Sequence, residues 1–166
     1  MSVTINEDTI RLLRDPATVR VLATSDPQGV PNAAFKGSIN VDAEGRLYLL
    51  ELLETSRSNR NLVHSIWFGR KVSVALRGAQ GESVEIVGTP ARCIVAGSMF
   101  EHYYRQVRER LGDVDLAAVW YITPLEIRDE RFQVRYAQET AAHPLVLHLD
   151  RIAKKEADIP AEGGAQ

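Results

Sequence analysis

Hydrophobic residues change their spacing early in the chain, from the period of a helix to the alternation of a strand. The helical spacing comes first, with Asn6 as the expected N-cap and Pro16 as the stop, and its apolar residues are Ile5, Ile10, Leu12 and Leu13. Val19–Ser25 then has the pattern of a strand, and Asp26–Gly29 places proline and glycine at the second and fourth positions of a tight turn. The pattern therefore predicts a short N-terminal helix followed by a β-hairpin.

Further strand-like runs follow, separated by turns that contain glycine. After the hairpin turn the predicted strands are Val30–Val41, Arg46–Leu53, Lys71–Arg77, Ser83–Val95 and Leu116–Ile127. Gly88 and Pro90 interrupt one of them, where we expect a bulge or a sheet edge, and Pro124 is expected near the end of the last strand. Met99–Leu111 has helical spacing. Six antiparallel strands, the first three in meander order, with helices at the corners predict a mainly β fold, a small closed barrel.

The last part of the chain is expected to be an extension of this barrel. The division that we predict is a barrel domain over residues 1–130 and a C-terminal extension over 131–166, without internal repeats. Phe132, Val134 and Tyr136 alternate and could form an additional strand. Pro144–Leu149 is apolar and too short to fold alone, so we expect it to pack on another subunit, whereas Arg151–Gln166 has the composition of a loose tail.

Composition excludes several classes of function. The chain has 166 residues, 45% of them hydrophobic and 25% charged, which suits one globular domain. A net charge of −2 argues against general nucleic-acid binding, and no apolar run approaches a membrane span. The N-terminus lacks a secretory signal pattern and there is one cysteine, so a cytoplasmic protein is expected. The four histidines have no metal-ligand spacing, no catalytic triad motif is present, and neither a metal site nor catalytic residues are assigned.

One segment, between a predicted strand and the helix that follows it, is rich in positive charge. Between Thr55 and Gly81 there is no acidic residue, and the basic residues are Arg57, Arg60, Arg70, Lys71 and Arg77. Ser56 or Ser58 can cap the helix that follows, whose free N–H groups and dipole favour an anion. Arginine adds a planar fork that can bind phosphate oxygens bidentately. The segment predicts a phosphate site, although a solvated helix start with surface arginines would have the same pattern.

The motifs and their order resemble those of the pyridoxamine-phosphate-oxidase-like FMN-binding split-barrel family, especially its small FMN-binding proteins. The resemblance spans about Ile10 to Ile127 and rests on Leu22–Thr24, Asp26–Asn32, Ser56–Leu62, Lys71–Val74 and Val87–Ala91. It implies a six-stranded antiparallel split barrel of Greek-key type with flanking helices. It also implies a homodimer that holds FMN in each of two grooves between the subunits.

The resemblance further implies which residues contact the cofactor. Those for the phosphate are Arg57, Ser58 and Asn61, with Arg60 as an additional candidate. Those for the flavin ring are Phe35, Lys36, Gly37, Ser38, Leu50, Glu51 and Leu52. Lys36 and Ser38 could reach the ring's carbonyls and nitrogens, and Gly37 would allow close approach of the backbone. Lys36 could equally be a surface lysine.

The function implied is that of an FMN-dependent oxidoreductase with a small-molecule redox partner and no side-chain catalyst, because the cofactor itself carries the electrons. Oxidation of vitamin B6 is not assigned, because the C-terminal arginine segment that closes over the substrate in pyridoxamine phosphate oxidases is not found here. The alternatives are a non-enzymatic FMN-binding electron carrier or sensor, and a split barrel that binds haem or the deazaflavin F420. Nucleic-acid binding by a small barrel is a further alternative.

Overall fold

The computed structural model describes residues 2–143, which divide after Arg131 into two compact units. The first unit contains three helices and seven strands. The helices are α1 (Glu7–Arg14), α2 (Arg57–Phe68) and α3 (Ser98–Leu111). The strands are β1 (Val19–Ser25), β2 (Pro31–Phe35), β3 (Asn40–Val41), β4 (Leu47–Glu51), β5 (Val72–Arg77), β6 (Ser83–Ile94) and β7 (Ala118–Asp129).

The strands form one antiparallel sheet in the order β2-β1-β5-β6-β7-β4-β3. Its two ends, β2 and β3, are consecutive in the chain. The predicted single strand Val30–Val41 is wrong, because a turn in which the Ile39 N–H donates to the Lys36 carbonyl divides it in two. The predicted mainly β antiparallel fold with flanking helices is confirmed. Its sheet is curled, with β2 and β3 at its ends instead of closed, and it has seven strands instead of six. The predicted hairpins are confirmed, since β1 pairs with β2 and β3 with β4.

Local chemistry explains why the first elements begin and end where they do. The Asn6 side chain caps α1 by accepting the Thr9 N–H at 2.8 Å, as the sequence predicts. In the first hairpin turn, the Asp26 carboxylate accepts the N–H groups of Gln28 and Val30. Gly29 has a φ of 84°, a conformation that favours glycine. Turn chemistry thus fixes the register in which β2 returns along β1.

The long strands β6 and β7 contain the predicted irregularity. Their register shifts between Val87 and Gly88, and again between Pro90 and Arg92, which confirms the bulge. A Cβ on Gly88 would lie 2.6 Å from the Thr123 carbonyl oxygen, so only glycine allows this approach. Pro124 was expected near a strand end but lies inside β7, opposite Gly88. The register shift accommodates the missing N–H of proline at this point.

Two apolar cores stabilise the unit. One lies between the sheet and the helices α1 and α2, and its fully buried side chains include Leu13, Leu22, Leu47, Leu49, Leu62, Val74, Ile86 and Trp120. The other lies beneath α3 and includes Leu50, Ile94, Tyr103, Val107, Leu116, Val119 and Tyr121. Both cores draw side chains from β4 and β7, and this pair of strands therefore joins α2 and α3 to a common support.

The second unit begins with helix α4 (Phe132–Ala142). The additional strand predicted from Phe132, Val134 and Tyr136 is wrong. Phe132 and Tyr136 are also four residues apart, and their rings stack with centroids 5.6 Å apart along one helix face. Gln, Glu and Ala in the same segment favour the helix. The predictions for Pro144–Leu149 and Arg151–Gln166 lie outside the described residues.

Across residues 2–143, no helix combines the length and the apolar character needed to cross a bilayer.

Candidate functional site

The phosphate candidates lie at the first turn of α2. Ser56 is the N-cap, and its hydroxyl accepts the Asn59 N–H at 3.0 Å, which resolves the choice between Ser56 and Ser58. The N–H groups of Arg57 and Ser58 precede the first intrahelical bond, which the Arg60 N–H donates to the Ser56 carbonyl. This end of α2 therefore has free donors and the positive end of the helix dipole.

Arg57 and Arg60 add two cations at the same helix end. Both side chains are exposed, and neither forms a hydrogen bond or an ion pair within residues 2–143. Arg77, from the same basic segment, instead donates to the Gly81 carbonyl at a different turn. The structure therefore divides the basic segment: Arg57 and Arg60 are available to an anion beside the α2 N-terminus.

Ser58 and Asn61 point inward and are only 2% and 3% exposed. The Asn61 amide donates to the Thr24 hydroxyl at 3.0 Å. The Asn32 amide lies 3.3 Å from the Ser58 hydroxyl and 3.4 Å from the Thr24 hydroxyl. These four side chains form a polar network that attaches the first turn of α2 to β1 and β2. Thr24 and Asn32 belong to motifs on which the resemblance rests, but sequence reasoning gave them no role in the site.

Asn59 attaches the same turn of α2 to the core. Its side-chain oxygen accepts the indole N–H of Trp120 at 2.8 Å, and its amide donates to the Glu54 carbonyl at 2.9 Å. Trp120 is 1% exposed and lies on β7. Because the hydrogen bonds of Asn59 and Asn61 reach different strands, the direction of the helix start is fixed from two sides.

The flavin-ring candidates line a cleft of about 820 Å³. One wall contains all seven of them: Phe35, Lys36, Gly37 and Ser38 at the end of β2 and after it, and Leu50, Glu51 and Leu52 on and after β4. The opposite wall comes from α3 and the loop that follows it. Its residues were not predicted: Gln106, Val107, Arg110, Leu111, Asp113, Val114 and Asp115. Their positions depend on a long-range contact that no local motif in the sequence signals.

Lys36 is not a free surface lysine. Its Nζ donates to Glu51 Oε2 at 2.7 Å, and the two side chains are 15% and 3% exposed. The ion pair joins the turn after β2 to the end of β4. Ammonium has three N–H donors, so the bond to Glu51 leaves two that can reach a ligand in the cleft.

Ser38 and Gly37 complete this wall in different ways. The Ser38 hydroxyl donates to the Leu50 carbonyl at 2.7 Å and accepts the Leu50 N–H at 3.2 Å. It thus forms a side-chain bridge to β4. Gly37 is exposed and has nothing within 4 Å of an added Cβ, which leaves its backbone open to close approach.

Three tyrosines pack together at the cleft, and one of them, Tyr48, also lines it. The Tyr48 and Tyr103 ring centroids are 4.9 Å apart, and the Tyr103 and Tyr121 hydroxyls are 3.2 Å apart. Burial and the hydrogen bond with Tyr121 both raise the pKa of Tyr103. The phenol therefore stays protonated, and the cluster holds α3 against β4 and β7.

Metal-binding side chains do not cluster in the part of the chain that the structure describes, where no group of three or more His, Cys, Asp or Glu could hold an ion. The cleft likewise has no histidine among its described lining residues. The His64 ring packs against Phe68 with its centroid 4.5 Å away, and the His102 side chain forms a hydrogen bond with Gln106.

Comparison with known proteins confirms the fold. No protein-family model and no curated protein matches the chain. Among solved structures, HupZ of Group A Streptococcus has a TM-score of 0.64 at 19% identity, over 78% of this chain and 96% of that one. A putative pyridoxamine 5'-phosphate oxidase from Lactobacillus delbrueckii has 0.57 at 20%, over 75% and 93%. An FMN-binding protein from Syntrophomonas wolfei has 0.57 at 12%, over 75% and 90%.

The similar structures include proteins named for three different cofactors. Besides the FMN-binding protein, they include an F420 reductase, with a TM-score of 0.55 at 17% identity over 75% of this chain and 98% of that one. HutZ, the haem storage protein of Vibrio cholerae, has 0.54 at 16% over 76% and 95%. The chain therefore has the split-barrel fold of the pyridoxamine-phosphate-oxidase-like proteins, a fold that serves more than one cofactor.

Proposed function

We propose that this chain, a split barrel by its fold, is an FMN-binding flavoprotein that acts as an oxidoreductase on small molecules. The observation that carries the proposal is the placement of two groups of side chains along β2. Asn32, near the start of β2, contacts the first turn of α2, and Phe35, at its end, lines the cleft. They are three positions apart on the strand, which is about 10 Å along its axis. A phosphate and a ring joined by a short sugar chain suit such spacing.

The α2 end fits the phosphate of FMN. Arg57 and Arg60 are exposed and without ion-pair partners in residues 2–143, and the N–H groups of the first helical turn lie beside them. Ser58 and Asn61 support this end from below through Thr24 and Asn32. In the proposal, the arginines neutralise the phosphate, and the polar network orients the turn that carries them.

The cleft fits a flat ring with a polar edge. Its strand wall offers apolar surface from Phe35, Leu50 and Leu52, open backbone at Gly37, and the remaining N–H groups of Lys36. When bound, the flavin supplies the ability to accept and donate electrons. The chain's own residues bind and orient the ring, and the Glu51 carboxylate keeps the Lys36 ammonium at the cleft surface.

Haem and F420 are the rival cofactors. The cleft offers no histidine from the described residues as an axial ligand, which favours a flavin over haem. F420 also carries phosphate and a flat ring, so only measurement separates it from FMN. A protein that binds FMN without turnover would be an electron carrier or sensor.

A second copy of the chain is part of the proposal. On one face of β1, β2 and β5, the register places Val21 beside Phe35 and Ala75, and Ala23 beside Ala33. Phe35 is 80% exposed and Ala33 and Ala75 are also exposed. A continuous, mostly small and apolar sheet face of this kind suits a symmetric contact between two subunits.

The test is a visible absorption spectrum of the freshly purified full chain, followed by titration with FMN, F420 and haem in separate samples. We expect a flavin spectrum or saturable FMN binding, one site per chain, and a dimer by light scattering. NADH and NADPH oxidation then distinguishes an enzyme from a carrier. Binding of haem or F420 in preference to FMN, or of none of the three, would overturn the cofactor assignment.

A further inference from the structure

The cleft has a polar corner that the proposed cofactor contacts do not use. Asn40 and Tyr48 face each other in the β3–β4 register, so their side chains lie on the same face of the sheet. Arg110 reaches the same cleft from α3. All three side chains line the cleft and carry hydrogen-bond donors, and none of them belongs to the Lys36–Glu51 pair.

The donors of this corner have no partners within residues 2–143. The Asn40 side-chain oxygen accepts the Val41 N–H at 2.8 Å, which leaves its NH₂ group free. The Tyr48 hydroxyl and the Arg110 guanidinium form no hydrogen bond or ion pair with any described residue. Packing of the Tyr48 ring on Tyr103, with centroids 4.9 Å apart, fixes the direction of its hydroxyl.

Arg110 and Tyr48 are close enough to influence each other. Burial raises the pKa of Tyr48, whereas the charge of Arg110 lowers it. The net shift of the Tyr48 pKa is upward, so its hydroxyl keeps its proton and remains a hydrogen-bond donor. Among the other charged cleft residues, Lys36 is paired with Glu51, and Asp113 with Arg108. Asp115 also lines the cleft, and its charge acts on Arg108. Arg110 is thus the cleft cation that lacks an ion-pair partner in the described part of the chain.

We infer that Asn40, Tyr48 and Arg110 form a site for the carboxylate of a second small ligand, whose apolar body lies between Leu53, after β4, and Leu111, at the end of α3. Leu53 and Leu111 are 66% and 52% exposed and both line the cleft beside this corner. They offer the apolar surface, and the three donors offer hydrogen bonds and one positive charge. The ligand class is a monocarboxylate with a flat or hydrocarbon body.

The experiment uses 2-naphthoate as the probe and the full chain, with binding measured by calorimetry. Native protein should bind 2-naphthoate saturably and more tightly than the neutral 2-naphthamide. Arg110→Gln should weaken naphthoate binding about tenfold, equivalent to about 1.4 kcal/mol, and leave naphthamide binding unchanged. Tyr48→Phe, which removes only the hydroxyl, should also weaken naphthoate binding.

Arg105→Gln is the matched control, because Arg105 lies on the same helix, is paired with Glu101 and does not line the cleft. It should bind naphthoate like the native protein, and thermal melts establish that each variant is folded. Equal losses in Arg105→Gln and Arg110→Gln, tighter binding of naphthamide, or no saturable binding would overturn the inference. The site does not depend on FMN. Binding of naphthoate without binding of FMN would contradict only the proposed function, and binding of FMN without binding of naphthoate would contradict only this site.

Discussion

Lys36 Nζ lies 2.7 Å from Glu51 Oε2, and this ion pair connects the two ends of the sheet across the wall of the cleft. Lys36 follows β2, the strand at one end, and Glu51 closes β4, which pairs with the strand at the other end. Ser38 adds its two hydrogen bonds to Leu50 beside it. The residues that join the two ends of the sheet therefore also form a wall of the cleft.

Replacing Lys36 by methionine should destabilise the protein by about 3 kcal/mol, because it leaves the Glu51 carboxylate buried without its partner. The double variant Lys36→Met, Glu51→Leu should recover part of that loss, since it removes both charges. Urea denaturation measures both effects. Lys71→Met, at an exposed lysine, is the control and should change stability little. Similar stability of Lys36→Met and Lys71→Met would show that the pair does not stabilise the fold.

Arg57→Ala should weaken FMN binding by about 10- to 100-fold, the value of one or two charge-assisted hydrogen bonds to phosphate. Riboflavin binding should not change, because riboflavin has no phosphate. Fluorescence titration of both ligands gives the two ratios. Arg60→Ala measures the second cation in the same way, and Arg14→Ala, on α1, is the control. If Arg57→Ala weakens both ligands equally, Arg57 does not contact the phosphate.

Thr24→Val should destabilise the protein by about 2 kcal/mol, because the buried Asn61 amide loses the acceptor at 3.0 Å. FMN affinity should fall as well, since this network orients the first turn of α2. Thr24→Ser keeps the hydroxyl and is the matched control, which should retain most of both properties. Chemical denaturation and FMN titration are the two measurements. Retention of full FMN affinity in a folded Thr24→Val protein would mean that the network supports the fold alone.

The turn Asp42–Arg46 should contribute stability that depends on pH. Burial raises the pKa of Asp42. Hydrogen bonds from the Arg46 backbone and guanidinium and from the Glu44 N–H lower this pKa by more than burial raises it, so the net shift is downward. A lowered pKa in the folded state means that the contribution is complete above the unfolded pKa of about 3.9 and is lost as the pH falls through the folded value. Thermal melts between about pH 5 and pH 2 should therefore show a shallower acid loss for Asp42→Asn than for the native chain. Parallel curves would remove Asp42 from this role.

Sequence patterns predicted the elements that are determined locally. The cap at Asn6, the turn at Asp26–Gly29 and the bulge near Gly88 each depend on residues within a few positions of one another. The break between β2 and β3 was missed, because Lys36–Ile39 was included in one continuous strand, whereas the chain turns there to reach the other end of the sheet. Helix α4 was missed because Phe132 and Tyr136 fit both strand and helix periods over so short a run.

The sequence motifs predicted only the wall of the candidate cleft that comes from β2 and β4. The seven ring candidates come together in one cleft because β2 and β4 end at the same place. The α3 wall, including Arg110, could not be predicted, because it depends on how a distant helix packs over the tyrosine cluster. The sequence also did not predict that Ser58 and Asn61 are buried, because this depends on which face of α2 packs against β1.

The hydrogen bond between Trp120 and Asn59 also gives the protein a built-in spectroscopic label. The chain has two tryptophans: Trp120 is 1% exposed and bonded to the first turn of α2, and Trp67 is 80% exposed near the end of the same helix. Their emission should differ in wavelength and in access to aqueous quenchers. Trp120, on β7, thus reports on the start of α2 from the core, and Trp67 reports on the end of α2 from the surface. Opening of the α2 start would therefore change the blue emission of Trp120 alone.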